Sequence, residues 1–229
     1  VLSVFWMHYS HIAPEPYQIW GGDEAHWVSL GERICISIEK TGFHTFTNPK
    51  NITATYHYGW PIILGIIFFI FGKNIFYALL IKQLIYAVGC YYFYKLAIVM
   101  NYSRKVSYCA FLFAVFYPPL CINAFTMFRE EVIFTFMVIA LYNIYKIIGV
   151  SFSFINLLFA FSFILYLCTV RLHIGLILML LSSIILLKEF SWKYRLIFLF
   201  TMTFILCYAF SFFFHYALVF IKVNIGRLR

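Results

Sequence analysis

From about residue 60 onward the chain alternates between long apolar runs and short polar separators. A helix that crosses a bilayer needs about 20 consecutive apolar residues. Six runs approach that length: Ile75–Met100, Val106–Leu120, Val132–Ile148, Phe152–Val170, Leu172–Leu187 and Leu196–Phe220. The separators NYSRK, FREE, YKIIG, Arg171 and KEFSWKYR each bring charge or turn residues. Trp60–Phe71 is equally apolar but covers only about 18 Å at the helical rise. Bounded by Pro61 and Gly72, it reads as an interfacial or re-entrant helix. Upstream, EAHWVSLGERICISIEK has the spacing of an amphipathic helix lying at an interface. The pattern predicts an all-α fold, a polytopic membrane helix bundle of about six spanning helices with interfacial helices in a long N-terminal outer loop.

Two regions follow from this: residues 1–74, the end of a first membrane segment plus the outer loop, and 75–229, the helix bundle. The opening VLSVFWM is too short to span, and the chain closes in a basic stretch, Lys222–Arg229. Both ends read as cut from a longer protein.

Composition turns the pattern into a constraint. Of 229 residues, 64% are hydrophobic and 11% charged, whereas soluble domains carry about 25% charge. Too few charges remain to cover a water-soluble globule, and such hydrophobicity also excludes a disordered chain. The net charge of +9 reports membrane topology rather than nucleic-acid binding, because the cations sit between apolar runs. With alternating spans, Lys95, Arg104, Lys105, Lys146, Lys188, Lys193 and Arg195 share one side, against Arg129 and Arg171 on the other. The basic side is cytoplasmic by the positive-inside rule. The expected location is therefore a multi-pass protein of the plasma (inner) membrane. Its acids Glu15, Asp23, Glu24, Glu32, Glu39, Glu130 and Glu131 gather on the non-cytoplasmic face.

These outer acids are the candidate chemistry. Asp23 and Glu24 follow two glycines in WGGDEAHW; there Asp23 either caps a helix or acts as a general base or metal ligand. Glu130 and Glu131 open a span after the Pro118–Pro119 break, beside Arg129. Acids at that end complement the helix dipole, yet neighbours about 100° apart leave at least one facing the bundle, since charge facing lipid is expensive. Arg171 either snorkels to headgroups or grips a phosphate with its guanidinium. His57, Tyr58 and Trp60 in TYHYGWP belong to an aromatic interfacial belt; alternatively His57 supplies a metal ligand or orients an acid, and His57 and Tyr58 help bind substrate. Lys73 and Lys82 either snorkel or meet phosphate. No P-loop, GxGxxG, GxSxG or HExxH occurs.

The order GGDEAHWVSLGERI, then HYGWPIILGIIFFIFGKNIFYALLIKQLIYAVGCYYFYKLA, then AFLFAVFYPPLCINAFTMFREEVIFTFMVIALYNIY and TVRLHIGLILML resembles GT-C glycosyltransferases. The likeness is to protein O-mannosyltransferase-like and lipid A aminoarabinose transferase-like enzymes, from about Gly21 to Leu187. It implies a polyprenyl-phosphate-linked sugar donor and a lipid, glycan or protein acceptor at the bilayer surface. Asp23, with Glu24 beside it, matches the family's outer-loop base, and Glu130 or Glu131 its second acid. Arg129, Arg171 or a divalent metal ion would stabilise the leaving phosphate. Where the family carries a charged pair, this chain reads HYGWP. The competing classes are a polysaccharide polymerase or ligase, a flippase or transporter of lipid-linked sugars, and a non-catalytic scaffold.

Overall fold

The computed structural model describes residues 22–42, 59–123, 126–149 and 153–189. Every regular element among them is helical. Chain contacts divide the protein into two compact units, 1–179 and 180–229; the described part of the second is the helical stretch 180–189.

The first unit opens with α1 (Gly22–Thr41) and α2 (Gly59–Phe71), the expected amphipathic and short apolar helices. Val28, Ile34, Cys35 and Ile38 bury one face of α1, while Arg33, Glu39 and Lys40 stay exposed. The two helices cross at paired glycines. A Cβ at Gly31 would lie 2.8 Å from Leu64 Cβ, and one at Gly65 would lie 2.5 Å from Ile34 Cγ2. Small residues at a crossing let the backbones approach closely. Trp60, Leu64 and Phe68 of α2 then share a core with Ala78, Leu79, Met127 and Val132.

The bundle proper follows as α3 (Ile75–Val99), α4 (Arg104–Phe116), α5 (Pro118–Asn123), α6 (Glu130–Gly149), α7 (Phe154–Val170) and α8 (Leu172–Glu189). Asn74 caps α3 by accepting from the Phe76 N–H at 2.9 Å. The turn into α4 uses Asn101 at φ 63°, a left-handed position that asparagine tolerates better than most residues. Helices α3 and α6 run parallel: Thr135 Oγ1 donates to the Ile85 carbonyl at 3.0 Å, and Tyr92 meets Tyr142 further along at 5.2 Å. Between them in sequence, α4 returns antiparallel, with the Tyr86 hydroxyl bonded to the Ala114 carbonyl. Helix α7 likewise runs back along α6, where Phe136 stacks on Phe163 at 5.3 Å.

This alternation gathers Lys95, Arg104, Lys105 and Lys146 at one end of the first unit. Glu130, Glu131, Arg129 and Arg171 lie at the other.

Two helices, α3 and α6, are long and apolar enough to cross a membrane by length and composition. Gly59–Phe71, Phe154–Val170 and Leu172–Ile185 are apolar but shorter. The expected span Val106–Leu120 is corrected: its helix stops at Phe116, and Tyr117 is extended at φ −61° and ψ 112°. A residue before proline is pushed out of the helical region, and Pro118 then starts a separate short helix. The expected span Leu196–Phe220 lies outside the described residues. Large apolar side chains nevertheless face outward along α3 (Leu84, Val88, Tyr91), α4 (Phe113, Phe116) and α7 (Ile155, Leu158).

Helices α3 and α6 approach closely at Gly89, where a Cβ would stand 2.9 Å from Thr135 Cα. Backbone cannot rotate away as a side chain can. Gly89→Ala therefore forces the two helices apart and costs about 1–3 kcal/mol. It is expected to lower the thermal midpoint in detergent, whereas Gly149→Ala, whose added Cβ would meet only the Val99 carbonyl at 3.8 Å, should change it little.

Candidate functional site

The acidic end of the first unit is organised by a lysine. Lys82 is two turns into α3 and 0% exposed. An ammonium has three N–H donors, and three carbonyls of the α5–α6 connection surround it. It donates to Asn123 at 2.7 Å, to Phe128 at 3.5 Å and closely to Thr126. Its charge is met by Glu131 Oε1 at 3.2 Å, and that side chain is also 0% exposed. At that separation the two form a contact ion pair, with the ammonium within hydrogen-bonding distance of the carboxylate. The readings of Lys82 as a snorkelling cation or phosphate contact are thereby corrected, because its ammonium is enclosed by protein. Lys73 is exposed.

The same connection is gripped from the other side. The Trp60 indole N–H donates to the Met127 carbonyl at 2.8 Å, with both residues 0% exposed. Helix α2 is tied in turn to α7, where the Tyr166 hydroxyl donates to the Gly59 carbonyl at 2.7 Å. Residues 126–129 are thus held by α2 and α3 together.

The two adjacent acids part company at the start of α6. Glu131 turns inward to Lys82. Glu130 turns to Arg171, whose Nη2 donates to Oε1 at 3.0 Å, with side-chain exposures of 30% and 34%. Glu130 Oε2 accepts no hydrogen bond among the described residues. Arg171 occupies the extended break between α7 and α8, at φ −148° and ψ 100°. That break breaches the apolar run at the residue the sequence marks. Arg129 is largely buried, and its guanidinium lies 4.7 Å over the Trp27 ring of α1, a favourable cation–π geometry.

Of the sequence candidates, Arg129, Glu130, Glu131 and Arg171 are therefore brought to one end of the bundle. Trp27 is one turn after Asp23 in α1, so the helix carrying Asp23 joins the same end. The side chains of Asp23 and Glu24, and all of His57 and Tyr58, lie outside the described residues. The contributors absent from the sequence reading are Trp27, Tyr166 and the role of Lys82, and Trp60, expected in an interfacial belt, is instead buried against Met127. For Lys82 a signal exists, since a charge deep in an apolar helix must find a partner.

Comparison of the chain with protein-family models, curated proteins and solved structures gives no match. The functional reading therefore rests on the residues and their geometry.

Chemically, the end of the bundle offers a half-exposed carboxylate–guanidinium pair, a second guanidinium on an aromatic ring and an enclosed ion pair beneath. Among the described residues no three His, Cys, Asp or Glu side chains assemble as a metal-ion site; Glu130 and Glu131 are directed to Arg171 and Lys82 instead. Cys35 of α1 is a core thiol: burial, with a hydrogen bond to Glu39, pushes it above the usual thiol range. It stays protonated at neutral pH and offers no thiolate nucleophile.

Removing one member of an enclosed ion pair costs about 3–5 kcal/mol, because the other is left uncompensated. Lys82→Met is expected to lower the thermal midpoint sharply. Lys82→Met combined with Glu131→Leu should recover part of that loss. Strictly additive losses in circular dichroism melts would show that the two charges are not coupled.

Proposed function

We propose that this protein is a multi-pass membrane glycosyltransferase of GT-C type. It would move a sugar from a polyprenyl-phosphate donor to an acceptor hydroxyl on the non-cytoplasmic face of the plasma membrane. The observation that carries the reading is the Glu130–Arg171 pair. It stands half-exposed at the end of the bundle opposite Lys95, Arg104, Lys105 and Lys146, with Arg129 stacked on the helix that bears Asp23. Cations at one end of apolar helices mark the cytoplasmic side, which turns the acid–arginine end outward. The exposed apolar faces of α3, α4 and α7 support a reading in which these helices contact lipid.

In this reading Asp23 is the general base, with Glu24 beside it. The carboxylate takes the proton of the acceptor hydroxyl, whose oxygen bonds to the anomeric carbon as the carbon–phosphate oxygen bond breaks. The departing lipid phosphate keeps the bonding electrons. Arg171 engages Glu130 through one nitrogen only, and its other N–H groups serve the developing phosphate charge. Arg129 adds positive potential. Glu130 aims Arg171, and Glu131 supports the site from below through Lys82. His57 and Tyr58 belong with the substrate-binding residues of the outer loop.

A second reading, a flippase or transporter of lipid-linked sugars, is favoured by one feature. The Lys82–Glu131 pair is a charged couple enclosed between two apolar helices, as in many membrane transport pathways.

Asp23→Asn separates the readings in cells that make the intact protein. Losing a general base lowers transfer about 10²–10⁴-fold. One polyprenyl-phosphate sugar is then expected to accumulate in lipid mass spectra at unchanged protein level. A rise in an oligosaccharide diphosphate lipid would point to a polymerase or ligase. An unchanged lipid profile would defeat the transferase and leave the transporter.

A further inference from the structure

The end of the bundle away from the acids carries a local repeat. Helix α3 closes with Tyr91-Tyr92-Phe93-Tyr94-Lys95 and α6 with Tyr142-Asn143-Ile144-Tyr145-Lys146, so Tyr-x-x-Tyr-Lys occurs in both. Because α3 and α6 run parallel, the two copies end side by side. In each, the lysine folds back one turn over its first tyrosine: Lys95 Nζ lies 5.5 Å from the Tyr91 ring centroid and Lys146 Nζ lies 5.9 Å from that of Tyr142. Tyr91 meets Tyr92 edge-on at 5.9 Å, and Tyr92 meets Tyr142 edge-on at 5.2 Å. A continuous strip of three rings joins the helices, with an ammonium at either end.

Local structure accounts for part of this. Lys146 is in the last turn of α6, where a cation suits the helix dipole. The same argument fails for Arg104 and Lys105. They open α4 at this end, exposed and in its first turn, where the dipole disfavours positive charge. Among the described residues no carboxylate pairs with any of these four cations. The patch is positive, aromatic and bordered by apolar helix faces. That combination suits a headgroup whose phosphate is anionic and whose tails run along the helices.

We propose that the Tyr91–Tyr92–Tyr142 strip, with Lys95 and Lys146, is a binding site for the phosphate headgroup of an anionic phospholipid. Lys95 and Lys146 supply the ammonium groups, the tyrosine rings form the floor at headgroup depth, and Arg104 and Lys105 add to the local potential. The site selects lipid charge and fastens the ends of α3 and α6 to each other. It rests on the membrane reading alone and does not depend on the transferase chemistry at the opposite end.

The test is native mass spectrometry of the intact protein, released from detergent holding phosphatidylglycerol and phosphatidylcholine in equal amounts. Wild type is expected to retain phosphatidylglycerol preferentially. Lys95→Gln and Lys146→Gln should each weaken that retention about fivefold. Lys95→Arg with Lys146→Arg keeps the charge and should keep the lipid, which separates loss of binding from loss of fold. Equal retention of both lipids by wild type would overturn the proposal. So would displacement of the lipid by inorganic phosphate at moderate excess.

Discussion

An ammonium enclosed among apolar helices must be answered on every side, and the acidic end of this protein is arranged around that demand. Lys82 would be intolerable in α3 without Glu131 and the three carbonyls that face it. Those carbonyls belong to the connection between α5 and α6, a stretch whose groups are not committed to a continuous helix. The lysine thus completes the hydrogen bonding of that connection, while the connection neutralises the lysine. Trp60 closes the opposite side through Met127. The start of α6 is held in a fixed place, and with it the direction in which Glu130 and Glu131 diverge.

That divergence gives two neighbouring acids different duties. Glu131 is spent on internal charge balance, and Glu130 reaches the half-exposed Arg171 across the α7–α8 break. An arginine whose one nitrogen meets a carboxylate and whose others remain at the surface is suited to an anionic ligand. The Arg129 guanidinium lies over the face of Trp27. The three charges beside it are therefore a sequence of consequences from Lys82 outward. A buried polar network of this kind is costly unless completed, which makes it a rigid support for a surface site.

The two ends of the bundle solve opposite problems. At one, acids and arginines from separate segments are paired and partly enclosed. At the other, lysines fold onto tyrosines with no acid among the described residues. The parallel course of α3 and α6 creates both conditions, since it places Lys82 opposite Glu131 and, further along, one Tyr-x-x-Tyr-Lys beside the other. Gly89 against Thr135 sets the distance at which this is possible.

Much of this was legible in residue order, because helix identity depends on local spacing. The apolar runs become α2, α3, α6, α7 and α8 within a few residues, and Arg171 breaks its run as a charge in apolar sequence should. The division of cations from acids was readable for the same reason, as it needs only alternation. The proline pair also signalled a break, but treating Val106–Leu120 as one span ignored the extended backbone that Pro118 imposes on Tyr117. Partner choice was not legible. Nothing near Lys82 in the chain indicates Glu131, 49 positions later, or that Trp60 and Trp27 would bracket residues 127 and 129. Such pairings depend on which helix faces meet, and spacing within one helix carries no information about its neighbour. The roles of Glu130 and Glu131 look identical in sequence; they separate only because one helical step, about 100°, turns one side chain toward α3 and the other toward Arg171.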